Sequence, residues 1–242
     1  MSEQLFTLGL WGAMSVPQTE GPSEASAVSS ARANLVACGR TLLARGLLSQ
    51  TSGNLSIRVS RDEVCITPSS MEYDRLEPAD IVLAGTDGRV RKGQRTPSSE
   101  TPLHCLVYDS RPDVSAIVHT HSPYATTLAI LGLPIPAVHY MIARARTTQI
   151  EVASYATYGT DALARNVRDA FAAPALAVLL ANHGLVAAGA TLQEAADVAE
   201  GVEMLARLYC QALAVGTPRV LSAGQMAEVM AKYEQRRQAQ SV

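Results

Sequence analysis

Apolar positions along this chain fall into two spacings, which divide it into elements. Between Glu24 and Leu48 they stand at Ala31, Leu35, Val36, Leu42, Leu43 and Leu47, close to a 3.6-residue period. That spacing predicts a helix, with Gly46 marking its end. Leu55–Val59 alternates with period two and Val64–Thr67 is a second short apolar run, so both read as strands. Ile81–Ala84, the turn Thr86-Asp87-Gly88 and Arg89-Val90 read as a hairpin. Strands joined by short turns point to an antiparallel sheet.

Glu100–Ser110 returns to helical spacing. Ala116-Ile117-Val118 reads as a strand that runs into His119-Thr120-His121. Ser122 as a cap and Pro123 at the first helical position predict a helix to Leu131, ended by Gly132. Ile135–Ile142 reads as another strand, on which His139 and Tyr140 would point to opposite faces. A loop over Tyr155–Gly159 leads to a helix over Asp161–Phe171. Leu176–Ala181 is a buried strand, Asn182-His183-Gly184 its turn, and Leu185–Ala188 the returning strand. Thr191-Leu-Gln-Glu194 has the form of a capping box before the stripe Ala195, Val198, Val202, Leu205, Leu208, Tyr209 and Leu213. Leu221–Tyr233 reads as a last helix and Glu234–Val242 as a polar tail. At the other end, Leu5–Val16 holds the single tryptophan, Trp11, and reads as a loosely held arm or a docking patch. The predicted organisation is a flexible extension over residues 1–28, one domain over 29–233 and a tail over 234–242.

Composition narrows the class without altering this map. The chain has 242 residues, 48% hydrophobic and 17% charged, which suits one well-cored domain. A net charge of −2 argues against a general nucleic-acid binder. No run approaches the roughly 18 apolar residues of a membrane span. Cys38, Cys65, Cys105 and Cys210 are scattered, without C-x-x-C spacing, and read as buried thiols in a cytoplasmic protein.

The chemistry gathers at few positions. On a strand, His119 and His121 project from one face and can share a metal ion. His183, at the next strand end, and Glu100, at a helix start, complete a four-group site of zinc type. His104 lies four residues after Glu100 on the same helix face and competes as a ligand, against its reading as an internally satisfied histidine. Three hydroxyl-rich turns, Thr51–Asn54, Thr67–Ser70 and Thr96–Ser99, are ordinary caps singly and a phosphate cradle if they meet.

These residues, read together, resemble the class II aldolase/adducin family. The likeness is carried by Thr51-Ser-Gly-Asn54, Ile66-Thr-Pro-Ser-Ser70, Pro97-Ser-Ser-Glu100, His119-Thr-His121, Ile135–Ile142, Tyr155-Ala-Thr-Tyr-Gly-Thr160 and Asn182-His-Gly184. The resemblance implies a single three-layer α/β domain with a central, mainly antiparallel sheet flanked by helices. It implies one zinc per subunit on His119, His121, His183 and Glu100, with Glu100 doubling as acid/base. It puts substrate phosphate among Ser52, Gly53, Asn54, Ser69, Ser70, Ser98 and Ser99, and makes Tyr140 a catalytic residue supplied by the neighbouring subunit of a homotetramer. Tyr158 stands where the family's aldolases carry Phe near the aldehyde end, Ser69-Ser70 where they carry Thr-Gly, and Arg236 and Arg237 occupy the tail.

The activity implied is zinc-dependent cleavage of a ketose 1-phosphate, of the L-fuculose 1-phosphate type, to dihydroxyacetone phosphate and an aldehyde. The alternatives within the family are a decarboxylase of the 3-oxo-tetronate 4-phosphate type, a dehydratase, or an adducin-like binding module without catalysis. A lysine-based mechanism has no support, because the two lysines, Lys92 and Lys232, lie in no apolar, site-like setting.

Overall fold

The computed structural model describes residues 24–92 and 95–240. The expected arm around Trp11 and most of the extension over residues 1–28 therefore lie outside the described residues. Helix α1 begins at Glu24 and runs to Ala44, burying Ala31, Leu35, Val36, Gly39 and Leu42 along one stripe.

An eight-stranded sheet forms the middle layer. Its strands are β1 (Asn54–Arg58), β2 (Glu63–Ile66), β3 (Val82–Gly85), β4 (Val90–Lys92), β5 (Ala116–Thr120), β8 (Val152–Ala153), β9 (Ala177–Leu180) and β10 (Gly184–Gly189). They lie in the order β4-β3-β2-β1-β5-β10-β9-β8. Every pair is antiparallel except β8 with β9. A separate two-stranded ribbon pairs β6 (Ile135–Pro136) with β7 (Gln149–Ile150).

Helices cover both faces, so the central strands are apolar on both sides. Neighbouring residues split between two cores: Val118, Leu179 and Leu185 belong to one, and Ile117, Val178 and Val186 to the other. The first core also takes α1, α3 (Pro123–Ile130), α5 (Leu192–Val215) and α6 (Ala223–Gln240). The second is closed by α2 (Thr101–Ser110) and α4 (Asp161–Ala170). Full burial of each such Val, Leu or Ile contributes roughly 1.5–3 kcal/mol. This explains why β5, β9 and β10 carry unbroken apolar runs. The expected three-layer α/β architecture with a mainly antiparallel sheet is present.

Four local expectations are corrected. Only Ile135–Pro136 of the predicted Ile135–Ile142 strand is extended; Tyr140–Ala145 is a 3-10 helix. Pro136 has no N–H to give a ladder, and the His139 ring accepts the Met141 N–H at 3.3 Å, capping the new turn. His139 and Tyr140 consequently stack, with centroids 4.6 Å apart, instead of facing opposite ways. The expected tail is helical as far as Gln240, because α6 continues through it. At the start of α3, the Ser122 side chain makes no capping bond. The carboxylate of Glu203 on α5 takes the N–H groups of Tyr124 and Ala125, both at 2.9 Å. In the predicted capping box, Thr191 does accept the Glu194 N–H at 3.1 Å, but Glu194 reaches Ala190 N at 2.8 Å, one residue before the cap.

Candidate metal centre and active-site cleft

The sheet register assembles the site. His119 lies near the end of β5, opposite Asn54 of β1 on one side and Val186 of β10 on the other. His121 follows it by two residues, on the same face. The β9–β10 turn swings His183 over that face, and Asn182 adopts a left-handed backbone (φ 54°) to turn it. Two glycines permit the close packing. A Cβ on Gly184 would stand 2.4 Å from the Thr120 carbonyl oxygen and 3.0 Å from His121 Cδ2. Gly53 has φ +79°, and a Cβ there would stand 2.6 Å from the His119 carbonyl oxygen. Either substitution would move the strand that carries the histidines.

Three imidazoles and one carboxylate converge. His119 Nε2 lies 3.0 Å from His121 Nε2, 3.3 Å from His183 Nε2 and 3.0 Å from Glu100 Oε2. Glu100 Oε1 stands 3.5 Å from His183 Nε2. All four donor atoms fall within 4.8 Å of one another. The His119 Nδ1 contacts the Leu185 carbonyl at 2.9 Å. A carbonyl only accepts, so Nδ1 carries the hydrogen and Nε2 turns its lone pair to the centre.

The electrostatics match a cation holder. Burial, reinforced by the charge of His119, pushes His121 down to about 3 and His183 down to about 4, so both are neutral ligands at pH 7. Burial opposes the charged form of His119 as well, but the adjacent Glu100 carboxylate outweighs it and raises that pKa. Burial alone would raise Glu100; His119, His183 and the Asn54 amide together hold it well below the usual carboxylate range. Glu100 Oε1 is buried with no hydrogen-bond partner. An anionic oxygen without a donor, facing convergent imidazole lone pairs, is costly unless a cation sits between them. The donor set and this orphaned oxygen fit a divalent transition metal.

The cluster opens on a cleft of about 600 Å³, lined by Ser52, Gly53, Asn54, Ser69, Ser70, Ser98, Ser99 and Tyr158, with Glu100, His121 and His183. The three hydroxyl-rich turns do meet here. No lysine or arginine lines this cleft among the described residues.

Residues 33–210 match the family model described as Class II Aldolase and Adducin N-terminal domain. The chain belongs to this family. It is 43% identical over 203 residues to the 5-methylthioribulose-1-phosphate/5-deoxyribulose-1-phosphate aldolase of Rhodospirillum rubrum, covering 84% of this chain and 90% of that one. It is 42% identical over 205 residues to the 5-deoxy-D-ribulose 1-phosphate aldolase of Bacillus thuringiensis serovar kurstaki, covering 84% and 95%. Among solved structures, an L-fuculose 1-phosphate aldolase superposes with a TM-score of 0.82 at 41% identity, covering 85% of this chain and 97% of the other. The protein is thus an enzyme of the class II aldolase type with a metal-binding group.

Not every expected site residue stands in the cleft of this class II aldolase. Tyr140, 57% exposed, lines a different cavity of about 410 Å³, together with Met141, Arg144, Lys232, Tyr233 and Arg236. His104 is absent from the metal cluster; it is fully buried behind Asn54, as the internally satisfied histidine of the alternative reading. The Asn54 side chain is committed at both ends, to Glu100 and to His104. Sequence reasoning attached no role to Ser56 or Tyr108, which continue that buried row. The available signal was their spacing, two residues after Asn54 and four after His104.

Proposed function

We propose that this enzyme is a zinc aldolase that splits a deoxyketose 1-phosphate into dihydroxyacetone phosphate and a short aldehyde. The observation that carries the reading is the orphaned Glu100 Oε1 beside three convergent imidazoles, at the floor of a hydroxyl-lined cleft with no lysine among its described lining residues. Zinc held by His119, His121, His183 and Glu100 would supply an electrophile for the ketone beside the breaking bond, the role a Schiff-base lysine fills elsewhere.

The chain's own residues divide the remaining work. Ser52, Ser69, Ser70 and Ser99 are serine hydroxyls exposed or half-exposed in the cleft, and they bind the phosphate with the backbone around Gly53. Ser98 is turned inward, where its Oγ accepts the Glu100 N–H at 3.2 Å. Asn54, whose amide is already committed, serves the phosphate end through backbone and shape. Glu100 moves a proton at the carbon that keeps the phosphate half, since its Oε1 has no competing donor. Tyr140 of a neighbouring subunit takes the proton from the hydroxyl that becomes the aldehyde oxygen. Its exposure and its separate cavity support supply from a neighbour in a homotetramer.

The substrate class follows from chemistry the relatives share. L-Fuculose and 5-deoxyribulose 1-phosphates both end in a methyl group, so both release an aldehyde with an apolar end. Tyr155, Ala156 and Tyr158 offer an apolar wall to that end of the cleft. Product analysis on a panel of ketose 1-phosphates, with and without the terminal deoxy carbon, tests the reading. Dihydroxyacetone phosphate formed fastest from the deoxy substrates is expected. Carbon dioxide from a 3-oxo-tetronate 4-phosphate, with no cleavage of any ketose phosphate, would replace it with the decarboxylase.

A further inference from the structure

Behind Glu100 lies a buried row of polar side chains that the reaction outlined above does not use. Glu100 at the cap of α2 and His104 and Tyr108 within it are each four residues apart and share one face. On β1, Asn54, Ser56 and Arg58 are each two apart and face that helix. Four helical residues advance about 6.0 Å and two strand residues about 6.7 Å, so the two rows stay in step. Each rung is a hydrogen bond. Asn54 Nδ2 donates to Glu100 Oε2 at 2.8 Å, and Asn54 Oδ1 meets His104 Nε2 at 2.6 Å. His104 Nδ1 meets Ser56 Oγ at 2.6 Å, and Ser56 Oγ meets the Tyr108 hydroxyl at 2.7 Å. None of these five residues is more than 5% exposed.

The direction of every bond is determined. Glu100 is a carboxylate, so Asn54 must offer it the N–H₂ end. Asn54 Oδ1 is then an acceptor, and His104 must carry its hydrogen on Nε2. Burial pushes His104 down to about 3, so the ring is neutral and Nδ1 is left as an acceptor. The Ser56 hydroxyl donates to it, and the Ser56 oxygen accepts from Tyr108. Arg58 closes the row, its guanidinium 4.7 Å from the centre of the Tyr108 ring.

We propose that His104 is a positioning residue for Glu100: it locks the Asn54 amide so that Glu100 is held by Oε2, beside His119, and leaves Oε1 turned toward His183. Ser56 and Tyr108 hold His104 in the tautomer this requires. Without the His104 donor, Asn54 Oδ1 is buried and unpartnered, the amide turns to find another donor, and Glu100 loses its anchor. For turnover the inference rests on the aldolase reading of the site; for metal binding it does not.

The test uses the full chain stripped of metal, with zinc as the probe and a chromophoric chelator as competitor. His104→Leu is expected to weaken zinc binding about 10–100-fold, the usual effect of losing an outer partner of a ligand, and to lower kcat more than it changes KM. His104→Gln, whose side-chain amide can still donate to Asn54, recovers most of both losses. Because His104 acts through Asn54, adding His104→Leu to Asn54→Ala weakens zinc no further. Wild-type zinc affinity in folded His104→Leu, with only the melting temperature lowered, overturns the proposal. So does a double variant in which the two losses multiply. Should His104→Leu fail to fold, Ser56→Ala runs the same cycle with a smaller loss expected, and unchanged zinc affinity there is equally decisive against it. The zinc measurement involves no substrate, so a wild-type protein without aldolase turnover would sink the proposed reaction and leave this result standing.

Discussion

Replacing Glu100 by glutamine separates its two assigned roles. In the wild type, Oε2 holds two contacts, Asn54 Nδ2 at 2.8 Å and His119 Nε2 at 3.0 Å, while Oε1 makes no hydrogen bond and stands 3.5 Å from His183 Nε2. A glutamine oxygen can keep the Asn54 bond in the Oε2 position. Its N–H₂ then takes the place of Oε1, near His183 Nε2, where it competes with a metal for that lone pair and cannot itself ligate. Zinc affinity should fall by more than the roughly 10–100-fold that an outer partner is worth. The fold should hardly notice, because a neutral amide removes a buried charge without leaving a cavity. The melting temperature of the metal-free protein should therefore stay within about 2–4 °C of wild type, the shift that about 1 kcal/mol produces in a chain of this size. Turnover at saturating zinc should drop about 10²–10⁴-fold, or roughly 2.7–5.5 kcal/mol of barrier, the range for a lost acid/base. The assay is kcat at increasing zinc, with bound metal counted on the same samples. A variant fully loaded with zinc and turning over at the wild-type rate would refute the catalytic role. Full activity recovered only by added zinc would leave Glu100 a ligand and nothing more.

Two further outcomes are expected. If sites are shared between subunits as proposed, an intact site needs His183 from one chain and Tyr140 from its neighbour, and mixing Tyr140→Phe with His183→Ala subunits should restore about a quarter of wild-type activity by random pairing; no recovery after demonstrated subunit exchange would show that each site is built from one chain. Asp113→Asn should destabilise by about 1 kcal/mol near pH 7, since buried Arg111 loses a two-pronged ion pair at 2.8 Å to a half-exposed partner. The Arg111 guanidinium depresses the Asp113 pKa, so this stabilisation is complete above the unfolded aspartate value near 3.9 and fades as pH falls through the depressed one. Denaturant melts of both proteins should converge in acid, and a gap that stays constant with pH would remove the ion pair from the account.

The parts of this fold that were legible in the sequence depend on one segment at a time. The α1 stripe, the β5 run into His119 and His121, and the β9–β10 turn carrying His183 are each set by local spacing. The run Ile135–Ile142 misled because eight mostly apolar residues fit a strand or a buried turn equally well. Pro136 and the His139 ring decide between the two, and only the second is a contact. The residues after Tyr233 misled in the opposite way. They are polar but helix-favouring, and Glu234 bonds Gln238 at 3.2 Å within the same helix, so polarity there does not mean coil.

What could not be read are the roles that one segment assigns to another. Ser122 has the residue type and place of a cap, yet Glu203, 81 positions later, supplies the bonds. Glu194 sits where a capping box needs it and reaches one residue too far back. His104 is the sharpest case. Its spacing from Glu100 showed that the two share a face, and that fact alone favoured neither ligand nor bystander. The register of β1 against α2 decides. It sets Asn54 between them, so that His104 reaches the carboxylate only through an amide, and the imidazole that looked like a fourth ligand nitrogen is instead held off the metal centre by its own hydrogen bonds. The same register would have been visible had the period-two row Asn54, Ser56, Arg58 been read against the period-four row Glu100, His104, Tyr108, since a buried polar side chain on one element implies a polar partner on the element that covers it.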